Sequence, residues 1–368
     1  MLFPMSLEKL DEFVFSVISG LVHHEVAVFE VVLPKKARGN SIKKTVEKSL
    51  TKSIFLSFQS STFIQNLRFK PYRTESTRKS KQMSQAQKFN VPRARDFGWE
   101  LKPMSSIYYK VLRNKSNQIC VVLEHSLLRG VTTEMIYWWF KHFPKLSVKL
   151  LDISGYEGQK VPGYLLWHPS DHVSAQLKGK LGPKGTSRAG AKIHIKEVMQ
   201  YEKYEQKYPV DQELTIYYCE KDGWCMGKSI PLIGPMMSLR ISFKDVYQEN
   251  KIIGVHYHYE VVAGSHKQNF IAQKITKKVV GNFGTEFWDA WLTHNTIEVG
   301  VFENFLPALF EQRYDMDNLT YSRTMNPIME SPSELKGFDK ELFEERVNGY
   351  EQSTNAFEYQ AGAQKSFL

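Results

Sequence analysis

The chain is poor in cysteine: Cys120, Cys219 and Cys225 are the only thiols in 368 residues. Three thiols make neither a disulfide framework nor a four-cysteine zinc site, and their scarcity fits a reducing, cytoplasmic setting. Long apolar runs are lacking too. The most hydrophobic N-terminal stretch, Phe13 to Leu33, is interrupted by His23, His24, Glu25 and Glu30 and preceded by Glu8, Asp11 and Glu12. It reads as neither a signal peptide nor a membrane span. No repeat of solenoid length recurs, and 22 Gly and 15 Pro are ordinary counts, which sets aside repeat and low-complexity architectures. With 42% hydrophobic and 24% charged residues, what remains is a globular chain with a substantial core.

Acidic residues are scarce in one stretch. Residues 31–95 hold 16 Lys or Arg against Glu47 and Glu75, so that stretch carries +14 of a net +10 and the rest of the chain carries −4. Within it, the Ser/Gln/Lys-rich run Thr74 to Lys88 has too little apolar surface to order itself, which predicts a flexible arm. A solvated linker outweighs an RNA- or membrane-binding arm, so nucleic acid is not the expected partner. The predicted organisation is a basic N-terminal extension (1–95), an organised domain (96–313) and an acidic, partly helical tail (314–368).

Strand and helix patterns begin to alternate near Asp96. Ser106 to Arg113 and Gln118 to Glu124 are β-rich and flank a turn at Asn114 to Asn117, a hairpin signature. Thr132 or Thr133 caps an amphipathic helix, Glu134 to Phe143, that ends before Pro144. Further strands are predicted at Tyr164 to Trp167, Ala191 to Met199, Glu213 to Glu220, Ser238 to Val246, Ile252 to Val262 and Phe270 to Val280. The longest predicted helix runs from Thr285 to Arg313, with Pro307 able to kink it. Antiparallel strands followed by one long helix predict an α+β architecture, a curved sheet wrapped round that helix with a ligand cavity between them.

Three places carry candidate chemistry. Trp167-His168-Pro169-Ser170-Asp171-His172 offers two imidazoles and a carboxylate after a strand; a metal ligand with its orienting carboxylate and a merely hydrogen-bonded strand end are both open. On the long helix, His294 and Glu298 share a face with Trp291, Val301 and Phe305. An imidazole and a carboxylate on an apolar stripe need compensation, by a divalent cation or by each other. In Ile193-His194-Ile195-Lys196-Glu197-Val198-Met199, Glu197 lies on the same face as Ile193, Ile195 and Met199. If that face lines the cavity, Glu197 needs a cation or a proton; if it faces water, the pattern is empty. His168, Glu197, His294 and Glu298 together form a two-nitrogen, two-carboxylate set suited to zinc, with iron or manganese allowed. The Gly182 to Gly190 run lacks the ending of a phosphate loop and reads as a surface loop.

Thr133-Glu134-Met135-Ile136-Tyr137-Trp138-Trp139-Phe140, the run Trp167 to His172, and the pair His294 and Glu298 together resemble the 2,4-diacetylphloroglucinol hydrolase and phloretin hydrolase family, over roughly Asp96 to Arg313. The resemblance implies a helix-grip (START-like) fold and a zinc held by His, Glu, His and Glu. It also implies hydrolysis of the carbon-carbon bond between an acyl group and a polyhydroxylated aromatic ring, a hydrolase reaction on a small phenolic ketone. Carried onto this chain, it makes His168 the first ligand, Glu197 the second, and His294 and Glu298 the last two; Glu202 competes with Glu197, and His172 with His168 if the turn is shifted. Asp171, His172, Tyr257 and Tyr259 are the implied substrate-binding or proton-handling groups, with Asp171 standing where the family can use Asn. A non-enzymatic helix-grip module carrying a lipid or aromatic metabolite is the rival reading, and a homodimer is an open option.

Overall fold

Alternate residues of each long strand turn apolar side chains toward one side, and that shared side makes the main core. A computed structural model describes residues 90–199, 208–231, 233–267, 269–281, 284–326 and 340–353, all within one compact unit spanning residues 73–368. Residues 1–89, and with them most of the basic extension, lie outside the described residues, as does Glu202.

In chain order the strands and helices are β1 (Ile107–Arg113), β2 (Ile119–His125), β3 (Leu128–Arg129), α1 (Thr133–His142), β4 (Ser147–Leu150), β5 (Lys160–Pro162), β6 (His172–Gly179) and β7 (Ala191–Met199). They continue as β8 (Tyr208–Glu220), β9 (Gly223–Ile230), β10 (Gly234–Gln248), β11 (Lys251–Ala263), α2 (Phe270–Val280), α3 (Thr285–Gly300), α4 (Phe302–Glu311), β12 (Thr320–Tyr321) and α5 (Lys340–Gln352). A nine-stranded sheet runs in the order β1-β2-β11-β10-β9-β8-β7-β6, with β3 pairing onto β11; every pair is antiparallel. A small second sheet places β12 beside β4 and β4 beside β5.

One face of the large sheet presents Leu123, Ile193, Ile216, Trp224, Phe243 and Tyr257 to a core closed by Trp139 and Phe140 of α1, Leu292 of α3 and Phe302 and Phe305 of α4. The opposite face of β2 and β11 is covered by Phe343, Val347 and Tyr350 of α5, which pack on Cys120, Val122 and Val262. Among the described residues no helix is long and apolar enough to cross a membrane.

The helix-grip expectation is overturned. The molecule is dominated by its large antiparallel sheet, and no long C-terminal helix wrapped by a curved sheet is present among the described residues. The segment expected as one helix, Thr285 to Arg313, divides at Val301 into α3 and α4. Pro307 lies inside α4 and not at the division, which comes after Gly300. There, a Cβ would come within 3.1 Å of the Lys102 side chain, and Lys102 itself is paired at 2.7 Å with Glu303 in the first turn of α4.

Two element predictions also change type. Phe270 to Val280, expected as a strand, is α2: Ala272, Thr276 and Val280 recur at helical spacing on its buried side, and the Asn269 side chain caps it by accepting from the Ala272 N–H. Tyr164 to Trp167, expected as a strand, instead forms part of a single 3-10 turn, Gly163–Leu165, and its exit.

Candidate metal centre

Two structural rules bring four donor side chains together. The β6–β7 register sets His172 directly opposite Glu197, so their side chains emerge as cross-strand neighbours at the first residue of β6. Helical spacing on α3 sets His294 and Glu298 one turn apart on the face that meets β7. The His172 Nε2 lies 3.8 Å from a Glu197 oxygen and 3.7 Å from a Glu298 oxygen. The His294 Nε2 lies 3.8 Å from Glu197 and 3.9 Å from Glu298. These gaps are too long for hydrogen bonds. They sit just above the separation of about 3.4 Å that two donors have when both bind one tetrahedral ion at about 2.1 Å. His172, His294 and Glu298 thus face a common point without bonding one another, while Glu197 turns one carboxylate oxygen to each imidazole.

The hydrogen bonds on the far side of each ring turn its Nε2 toward that point. The Nδ1–H of His172 donates to the Tyr164 carbonyl at 2.9 Å, and its Nε2 is buried with no partner. The Nδ1–H of His294 donates to Asp171 Oδ2 at 2.9 Å. Burial, followed by the His294 and His168 rings, holds the His172 imidazole well below its ordinary value, so it is a neutral donor. For His294 burial opposes the charge, but the Asp171 hydrogen bond and the Glu197 charge outweigh it and raise the imidazole to about 9. Burial pushes the Glu298 carboxyl up, with the His294 ring opposing and the Glu197 charge adding. Buried imidazoles and carboxylates need a proton or a cation to compensate them, and a divalent cation is one that these residues could take. His/Asp/Glu groups able to hold a metal ion are thus present, His172, His294 and Glu298 with donor atoms all within 4.8 Å of one another.

Of the expected ligand set, His294 and Glu298 come together with His172, which stands where His168 was expected, and Glu197 lies beside them with one oxygen 3.8 Å from each imidazole. His168 Nδ1 accepts the backbone N–H of Ser170 at 3.3 Å and of Asp171 at 3.0 Å, so its proton resides on Nε2. That Nε2 faces Asp171 Oδ2 at 3.5 Å, and the ring stacks on His294 with centroids 4.7 Å apart. The trio His168, Asp171 and His294 also has donor atoms within 4.8 Å of one another, but the Asp171–His294 hydrogen bond already occupies its centre. His168 therefore backs Asp171, Asp171 orients His294, and neither Asp171 nor His172 is a free proton carrier.

Sequence reasoning missed three supporting residues. The Tyr164 hydroxyl donates to Glu197, and its ring stacks on His172 at 3.9 Å and 8°. Asn295 Nδ2 reaches Glu298 at 3.4 Å while its Oδ1 accepts from His125 Nε2–H at 3.1 Å. Asn295 lies between the two ligands of α3, a hint visible in the sequence; His125 carries no such signal. Tyr259 lines the cavity beside the donors, whereas Tyr257 packs edge-on against His125 at 5.5 Å and its hydroxyl is buried without a partner.

Glu197, His294 and Glu298, but not His172, line a cavity of about 60 Å³, walled also by Trp167, Trp224, Ile195, Met226, Leu239 and Trp291 among others. Among the described residues no lysine or arginine lines it. At roughly 10–15 Å³ for each water, it matches a handful of waters, the bulk of one small aromatic ring.

No protein-family model matches the chain, and no curated protein matches it. A solved structure of a protein of unknown function, SA2116 from Staphylococcus aureus, is similar at 13% identity over 51% of this chain and 99% of that one, with a TM-score of 0.24, a likeness too slight to carry a fold or a function.

Proposed function

We propose that the chain is a zinc-dependent hydrolase that cleaves the carbon-carbon bond between an acyl group and a polyhydroxylated aromatic ring. The observation that carries the reading is the meeting of His172, His294 and Glu298, with donor atoms within 4.8 Å of one another, next to an aromatic-walled cavity that His294, Glu298 and the neighbouring Glu197 line. The resemblance to the diacetylphloroglucinol and phloretin hydrolases supports the choice of reaction through these donors and through the Trp167 to His172 run, not through the fold.

Two imidazoles and two carboxylates suit zinc, which supplies Lewis acidity toward an acyl carbonyl and a nucleophile from water near neutral pH. The chain's own residues do the rest. Asp171 and the Tyr164 carbonyl fix the two imidazoles in the tautomers that point Nε2 inward. Trp167, Trp224 and Trp291 give flat apolar walls that hold a ring and exclude bulk water. The absence of a cationic lining residue suits a neutral ketone. Water adds its oxygen to the acyl carbon, the acyl–ring bond breaks, and the ring carbon takes a proton, leaving a carboxylic acid and the free phenol. Burial, with the Glu298 and Glu197 charges, keeps the Tyr259 phenol well above its ordinary value and so protonated, a hydrogen-bond donor in the cavity wall for a substrate oxygen, and the proton that the ring carbon takes comes from the attacking water.

The test is metal analysis of the purified chain together with an absorbance assay on acylphloroglucinols. About one zinc per chain is expected, as one four-donor site requires, with ring release that stops on chelation and returns with zinc. A chain without a stoichiometric metal, or cleavage indifferent to chelator, overturns the reading.

A further inference from the structure

We infer that Arg95, at the end of the basic extension, is a positioning residue for the metal centre. The inference rests on the proposed metal site and extends it to the last residues of the predicted basic extension. Residues 91–100 form a strap without regular secondary structure, yet Arg95 is only 2% exposed. A guanidinium taken out of water is tolerated only where its donors are used. Arg95 Nη2 donates to the His168 carbonyl at 2.6 Å, Nη1 to the Arg93 carbonyl at 3.1 Å, and the Arg95 backbone N–H to the Pro169 carbonyl at 2.9 Å.

Two consecutive carbonyls of the turn before β6 are thus held from one side chain and its backbone. Past the β6–β7 pairing at His172, this turn is tied to β7 by the Val198 N–H, which donates to the Asp171 carbonyl at 2.8 Å, and the strap holds its other end. The same turn carries Asp171, which orients His294, and His172, whose Nε2 faces both glutamates. A shift of the His168 and Pro169 carbonyls therefore moves both imidazoles at once.

The strap can act as a fixed support because it is anchored at both ends. Tyr156 donates to the Arg93 carbonyl at 2.7 Å, and Arg323 Nη2 to the Asp96 carbonyl at 2.6 Å. Phe97 and Trp99 stack at 4.1 Å, and the Trp99 indole N–H donates to the Tyr321 hydroxyl at 2.8 Å. Groups behind metal ligands commonly tune affinity about 10–100-fold, and the planar Arg fork is not reproduced by Lys.

The experiment uses the full chain with Arg95→Lys, which keeps the charge and the aliphatic stem, and with Trp99→Leu, which loosens the anchor without touching the turn. Zinc affinity is measured by competition with a chelating dye, and the visible spectrum of the Co²⁺-loaded chain reports donor geometry. R95K is expected to bind zinc about tenfold or more weakly, with a shifted cobalt spectrum and still one ion per chain; W99L moves both readouts the same way by less. Zinc affinity and cobalt spectra unchanged in both variants overturn the role of Arg95 while leaving the metal centre standing. A wild-type chain that binds neither ion overturns the centre and this role together.

Discussion

At the scale of single residues, the choice between His168 and His172 decides what the centre is. Both imidazoles stand in one six-residue run, and only the position at which β6 begins determines which turns inward. β6 begins at His172, and the backbone N–H groups of Ser170 and Asp171 claim the His168 Nδ1. His172→Ala is therefore expected to lose stoichiometric zinc, whereas His168→Ala keeps about one ion per chain with affinity reduced about 10–100-fold. Isothermal titration separates them; equal loss of stoichiometry in both variants would return His168 to the ligand set. The other donors were legible in the sequence for plain reasons. His294 and Glu298 are one helical turn apart, and Glu197 falls on the apolar side of a period-two strand. Tyr164, Asn295 and His125 support the donors from places that only tertiary packing defines.

At the scale of elements, local patterns revealed α1 and six of the nine strands of the large sheet, missed β6 and β9 among others, and misjudged Tyr164 to Trp167 and the segments after β11. Phe270 to Val280 is rich in β-branched residues, yet its apolar positions recur at helical spacing and Asn269 caps it, and those two features prevail over residue type. The division of the long helix at Val301 depends on a residue nearly two hundred positions away. Lys102, 5% exposed, is bound by Glu303 at 2.7 Å, and Glu303 also accepts the Arg129 backbone N–H at 2.7 Å. Burial lowers the Lys102 ammonium from its ordinary value while the Glu303 charge opposes that shift. Glu303→Ala leaves a buried cation without its carboxylate and is expected to cost about 3–5 kcal/mol, the penalty of breaking such a pair. Urea unfolding of the full chain measures it. A cost below about 1 kcal/mol, the range of an exposed pair, would mean that this contact does not hold the α3–α4 junction.

At the scale of the whole molecule, the sheet order placed β2 beside β11 and so brought His125 under α3, a pairing no local pattern announces. His125 is fully buried; burial, opposed by the Asn295 hydrogen bond and aided by the Lys102 charge, lowers its imidazole to about 3. An unfolded chain releases this imidazole to about 6.5. Between those two values the unfolded state holds a proton that the folded state does not, so stability is full above about pH 6.5 and declines as the pH falls toward about 3. One such group changes stability by about 1.4 kcal/mol per pH unit well inside that window, hence by about 2 kcal/mol between pH 7 and pH 5. His125→Gln keeps a donor for Asn295 and removes the titration, so its stability should fall less steeply over the same range. Urea unfolding at pH 7, 6 and 5 in a chelator isolates the effect, because a bound cation adds its own proton linkage through His172 and His294. Parallel pH profiles for the two chains would show that His125 is not the group through which acid loosens this fold.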